Sequence, residues 1–263
     1  MNAGAMNPFS DPIMEAVFAN KDVAGLAAQS LINAVLSEAG DPFIGEIVQL
    51  TPQKVASNPL GRGYRFDIEA RARHEVADIE IQFRIIKMNE RGMLYAVSIL
   101  KDSAERGASL ESVIEAMPRV IVINMLHFNL RPGHGDFCQP VDLAYRKPTA
   151  DGSQERASDR MAIYNIEIKK FEKQVMPSLE KMPYSAETPA LHYWLLALCK
   201  SQREKAPIEE VVAMSEALTE FARRDAGFSQ YAERYEKISS DENVRRMYNI
   251  WTEGMSALDQ ARA

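Results

Sequence analysis

The stretch Y64-RFDIEARARHEVADIEI-Q82 decides how this chain is read, because it alternates twice with the period of a strand. Phe66, Ile68 and Ala70 share one face and Asp67, Glu69 and Arg71 the other; after Arg73 and His74 the pattern resumes, with Ile79, Ile81 and Phe83 opposed to Asp78, Glu80, Gln82 and Arg84. A two-residue turn at Arg73 and His74 folds the stretch into a hairpin and sets Asp67 directly across from Glu80. No glycine or Asn-Gly marks that turn, so a longer loop, which would slide the pairing but keep the face, stays open. Facing side chains in an antiparallel pair have Cβ atoms about 4.5 to 5.5 Å apart, and like charges there repel. Two readings follow. Either the polar face is solvated and its acids pair with Arg71, Arg73 or Arg84, or Asp67 and Glu80 share a cation. Mg²⁺ suits the second, since it takes oxygen ligands and is held by one or two carboxylates plus water and substrate phosphate.

Outward from the hairpin, the flanking segments alternate between helical and strand periods. Asp11 and Pro12 open a helix at the cap and first position, and "VAGLAAQSLINAVLSEAG" continues with an apolar stripe of Leu26, Leu31, Ile32, Val35 and Leu36 up to Gly40. "PFIGEIVQLTP" predicts a short strand, and "NPLGRG" a loop leading into the hairpin. From Met88 a helix is expected to run to Gly107, with Met93, Leu94, Val97 and Leu100 on its apolar face. "RVIVINMLHFNL" is apolar without alternation, as a strand covered on both faces is. A loop region at residues 131–159 precedes "MAIYNIEIKKF", a further strand expected to end near Phe171. Beyond Pro183 only helical patterns appear. The fold class is therefore α/β, with a core at residues 1–183 and a helical extension at residues 184–263.

The 263-residue chain is long enough for a full core and carries a net charge of −6, which argues against coating nucleic acid by bulk electrostatics. Its two cysteines, Cys138 and Cys199, lie far apart, as expected for a reducing compartment, the cytoplasm. Asp11, Glu15, Lys21 and Asp22 interrupt the N-terminal apolar residues, so no signal peptide is expected. No apolar run approaches the roughly 20 residues of a membrane span.

Other signals are weaker. His134 to Cys138, with His127 upstream, lack a paired zinc spacing. His74 belongs to a turn, Tyr193 and Trp194 have the helical spacing of core residues, and Lys169 and Lys170 suit either a phosphate backbone or a solvated edge. No glycine-rich phosphate loop and no nucleophile elbow is present.

"RFDIEARA" followed by "DIEIQ" resembles the two active-site motifs of the PD-(D/E)XK nucleases, and more narrowly the PD-(D/E)XK family transposases of the Rpn (recombination-promoting nuclease) branch, whose second motif is Ile-Glu-x-Gln. "DPIMEAVFANKD" with "LINAVL", "ERGMLYAVSIL", "RVIVINMLHFNL" and "YNIEIKKF" resemble further segments of that branch, in order, from Asp11 to Phe171. The chain departs from the branch at Ile168-Lys169, where Leu-Pro is preferred, and in its shorter turn between the motif strands.

The resemblance implies a restriction-endonuclease-like mixed sheet flanked by helices, with an all-helical C-terminal extension. It implies a DNA endonuclease that uses Mg²⁺ or another divalent cation, bound by Asp67, Glu80 and the backbone carbonyl of Ile81. Gln82 then occupies the position of the superfamily's lysine, and Asp11 or Glu15 is the candidate acid from the first helix. Because Gln82 carries no charge, Arg84, two residues on along the same strand face, is the candidate for the missing cation. DNA is the expected partner, self-association into a homo-oligomer is left open, and no membrane is expected. Two rivals stand beside this reading: an inert nuclease-fold module that binds DNA or protein, and a scaffold with a solvated hairpin.

Overall fold

A computed structural model describes residues 6–19, 21–56, 64–84, 88–102 and 109–260. In chain order its elements are α1 (Asp11–Val17), α2 (Lys21–Ala39), β1 (Gln49–Ala56), β2 (Tyr64–Arg71), β3 (Glu75–Gln82), α3 (Met88–Asp102), α4 (Leu110–Ala116), β4 (Arg119–Leu126), β5 (Cys138–Asp142) and β6 (Met161–Glu167). The remainder is helical: α5 (Ile168–Gln174), α6 (Met176–Leu179), α7 (Ala190–Glu204), α8 (Ile208–Ala213), α9 (Glu216–Arg224), α10 (Ala226–Ser239) and α11 (Glu242–Gln260). The loop expected at residues 58–63 and the helix end expected at Gly107 lie outside the described residues.

The strands form one mixed sheet in the order β1-β2-β3-β4-β6-β5. β1, β2 and β3 are an antiparallel meander, β3, β4 and β6 run parallel, and β5 closes the far edge antiparallel to β6. β4 sits centrally, and from Val120 to Leu126 every residue is buried, which is why its sequence does not alternate. One face of the sheet, with Ala77, Ile79, Ile121, Ile123, Tyr164 and Ile166, packs against α1, α2, α7 and α10 in a single hydrophobic cluster. That cluster takes residues from both sides of Pro183, so the change of secondary-structure class there does not interrupt the core. Trp194 and Tyr193 on α7 are fully buried in it, as their spacing predicts.

α3 covers the opposite face, packing Tyr95, Ala96 and Ile99 against Val76, Val120, Val122 and Ile163. This corrects the expected orientation, because Met93, Leu94 and Val97 are exposed. The cause is close approach. Gly92 has the side chain of Ile163 against it, where a Cβ would lie 3.0 Å from Ile163 Cδ1, and the helix is rolled to bring that side down.

Three boundaries also differ from expectation. β1 begins at Gln49, later than Pro42, while β5 lies inside the expected loop. β6 ends at Glu167 and the chain turns at once into α5. There Ile168 and Phe171 enter the core, and Lys170 turns inward onto the Glu167 carboxylate at 3.0 Å, an i,i+3 pairing that a strand does not permit. Lys170 is thereby excluded as a surface contact to DNA.

Candidate active site

The hairpin closes with the register that alternation predicts. Ala72 N–H donates to the Glu75 carbonyl at 2.9 Å around Arg73 and His74, and the ladder runs from Arg71 opposite Val76 to Ile68 opposite Ile79. One step further the backbone pairing gives way to side chains. Asp67 N–H donates to Glu80 Oε1 at 3.2 Å, and Ile81 N–H donates to Asp67 Oδ2 at 3.0 Å. Each carboxylate thus caps the other strand's backbone where the two strands part.

The parting opens a cavity of about 480 Å³ lined by Asp11, Asp67, Ile81, Gln82, Arg84 and Arg91, with Phe83, Trp251 and Met255 on its wall. Glu80 lies beneath, fully buried. Gln82 Nε2 donates to Glu80 Oε2 at 3.3 Å, and Arg91 Nη2 reaches the same oxygen at 2.8 Å. Arg91 Nε in turn donates to the Tyr95 hydroxyl at 2.5 Å. The Gln82 carbonyl accepts from His127 N–H on the β4 side, so by strand alternation the amide and carbonyl of Ile81 face the Asp67 side.

This face of the sheet gathers carboxylates from both strands of the hairpin. Glu69 and Asp78 oppose one another two residue pairs along from Asp67 and Glu80, on the same face, and Glu69, Asp78 and Glu80 are all buried. Arg71 pairs with Glu69 at 2.6 Å and Arg91 with Glu80 at 2.8 Å. Burial, then the neighbouring Asp67, pushes Glu80 well above the usual carboxylate range, against the pull of Arg91. Burial, then Glu80, Asp67 and Glu69, does the same to Asp78, whose two oxygens have no hydrogen-bond partner among the described residues. Carboxylates held this way accommodate a cation, because it relieves both burial and mutual repulsion. No group of three or more His, Cys, Asp or Glu side chains among the described residues is arranged around one ion. A cation here would rest on Asp67, Glu80, the Ile81 carbonyl and water.

Of the residues singled out from the sequence, Asp67, Glu80, Ile81 and Gln82 come together as described. Arg84 does not share their strand: β3 ends at Gln82, and Arg84 Nη2 lies 4.0 Å from Met255 Sδ on the cavity wall. Asp11 reaches the cavity, and Glu15 is half-buried on the same helix. His134 is exposed and against Arg131, away from any ligand cluster among the described residues. Arg91, Tyr95 and Asp78 were not assigned to the site from the sequence, although Arg91 and Tyr95 are the Arg-x-x-x-Tyr of "ERGMLYAVSIL", the helix that resembles the branch directly after the hairpin, and their i,i+4 spacing puts them on one face of it.

The family model described as "PD-(D/E)XK nuclease family transposase" matches residues 9–257, nearly the whole chain. Searches of curated proteins and of solved structures give no match.

Proposed function

This chain belongs to the PD-(D/E)XK nuclease family transposases, and from that premise we propose that it is a DNA endonuclease dependent on Mg²⁺ or another divalent cation. The observation that supports this most is the pairing of Asp67, which lines the cavity, with the buried Glu80 across the parting strands. In this reading Asp67, Glu80 and the Ile81 carbonyl hold the ion. When bound, it supplies an acidified water as nucleophile and neutralises charge on the phosphate. The chain's own part is positioning. Ile81 N–H fixes one oxygen of Asp67, Gln82 fixes one oxygen of Glu80, and the hydrophobic wall of Phe83 and Trp251 limits the water around the reacting phosphate. Arg84, on the same wall, is a contact for the DNA backbone.

The narrower reading follows the Rpn branch, whose Ile-Glu-x-Gln motif stands here as Ile79-Glu80-Ile81-Gln82, and with it a role in promoting recombination. The cytoplasm suits the two cysteines, both free, with the Cys138 thiol pushed up to about 12 chiefly by burial. No helix among the described residues is long and apolar enough to cross a membrane.

The test is incubation of the purified chain with supercoiled plasmid, with Mg²⁺ or with EDTA, alongside Asp67→Ala and Glu80→Gln. Nicking by the wild-type chain in Mg²⁺ alone, lost by at least about 100-fold in both variants, is the expected result. Nicking that persists in EDTA or in Asp67→Ala defeats the proposal.

A further inference from the structure

We infer that Arg91 is the catalytic cation that replaces the charge absent at Gln82, bound to Glu80 before the metal arrives and turned onto the scissile phosphate afterwards. The inference rests on the nuclease reading above and deepens it. The geometry singles out Arg91 over Arg84. Arg91 Nη2 is 2.8 Å from Glu80 Oε2, the same oxygen that Gln82 contacts at 3.3 Å, so its guanidinium shares the space a side chain at Gln82 can reach. Arg84 lies past the strand end beside Met255 instead.

The guanidinium is built to change partners. Its side chain is 30% exposed and lines the cavity that a phosphate would enter. Its Nε is held by the Tyr95 hydroxyl one turn along α3, which anchors the group whichever partner the Nη atoms take. A fully buried glutamate beside a second carboxylate is ionised only with a counter-charge against it, here the Arg91 guanidinium at 2.8 Å. A divalent cation can take over that duty, which releases Arg91 to a ligand its planar fork fits, the phosphodiester. Arg91 and the cation therefore compete for Glu80 in the absence of DNA and cooperate in its presence.

That pair of opposite effects is what a merely structural ion pair would not produce. The experiment compares the wild-type chain with Arg91→Met, Arg91→Lys and Arg84→Ala. Three quantities are read: Mn²⁺ affinity by calorimetry without DNA, plasmid nicking, and the salt dependence of binding to a short duplex in Ca²⁺. Arg91→Met is expected to bind Mn²⁺ about tenfold more tightly. It should nick at least about 100-fold more slowly. It should also lose about one unit from the slope of log K against log salt. Arg91→Lys keeps a cation and recovers part of the nicking, while Arg84→Ala leaves Mn²⁺ affinity unchanged. Should the methionine variant not fold, the lysine variant carries the test, with nicking reduced by about tenfold from its poorer fit to a bidentate site. Unaltered or weaker Mn²⁺ affinity in a folded Arg91→Met chain, or an unaltered salt slope, overturns the inference. Absence of nicking by the wild-type chain counts against the nuclease reading, while Mn²⁺ affinity and the salt slope still decide the role of Arg91.

Discussion

His127 makes the stability of this fold depend on pH in a way that can be calculated. It follows the last residue of β4, with its ring stacked on Phe83 at 4.2 Å and meeting Phe9 edge-on at 4.6 Å. Burial, with a smaller contribution from Lys169, lowers its pKa from 6.5 to about 4, and its Nε2 has no hydrogen-bond partner among the described residues. A histidine held neutral in the folded state but free to ionise when unfolded gives stability that is intact above its unfolded pKa and is lost as pH falls toward the folded one. Between those limits each pH unit is worth about 1.4 kcal/mol, so the loss is about 2 kcal/mol at pH 5 and about 3 kcal/mol near pH 4. His127→Phe keeps the ring and removes the proton site. Urea unfolding at pH 7.5 should place the variant within about 1 kcal/mol of the wild-type chain. At pH 5 it should be about 2 kcal/mol the more stable, moving the midpoint by about 0.7 M for a slope of about 3 kcal/mol/M. Parallel loss of stability by both chains between pH 7.5 and pH 5 would refute the reasoning.

Two further substitutions test packing and charge. Gly227→Ala on α10 would put a Cβ 2.3 Å from the Leu26 carbonyl oxygen and 2.4 Å from Ser30 Cβ, both on α2. Neither atom is the free end of a side chain, so the helices must separate, at a cost of about 2 to 4 kcal/mol. For a chain of this size that lowers the melting temperature by about 5 to 15 °C, and an unchanged melting temperature would show that α2 and α10 do not touch as described. Asp78→Asn should stabilise the chain by about 1 to 2 kcal/mol at pH 7.5, because it removes a buried acid that faces Glu69 and has no partner among the described residues. Destabilisation by more than about 1 kcal/mol would mean that Asp78 makes a contact the geometry does not contain.

Much of the sheet was legible because strand alternation is a local property. The polar and apolar faces of the hairpin follow from a period of two; the sequence left a longer loop open, and the ladder from Ile68 to Arg71 shows the short turn at Arg73 and His74. β4 was legible for the opposite reason, since only burial on both faces allows "VIVINML" to be apolar without a break. Less could be said of α3. Its most apolar stripe, Met93, Leu94 and Val97, faces outward, because Gly92 permits close approach to Ile163 and Arg91 must reach Glu80. Contact distance outweighed hydrophobic pattern there. The turn into α5 was hidden in the same way, since Ile168-Lys169-Lys170-Phe171 continues a strand pattern until Lys170 finds Glu167.

By itself, the sequence determined which face of each strand carries the carboxylates, because alternation is set by neighbours in the chain, while the short turn that puts Asp67 in register with Glu80 was decided by the fold. Nor did the sequence determine how deep they lie or what surrounds them. Alternation marks Glu69, Asp78 and Glu80 as a polar face; only the folded packing makes them buried and raises the pKa of Glu80. The cavity draws its walls from α1, α3 and α11, and no local pattern relates Asp11 or Trp251 to a hairpin so distant along the chain. Burial, the dielectric around a charge and the approach of Arg91 are sums over elements remote in sequence, and they take their values only when the chain has folded.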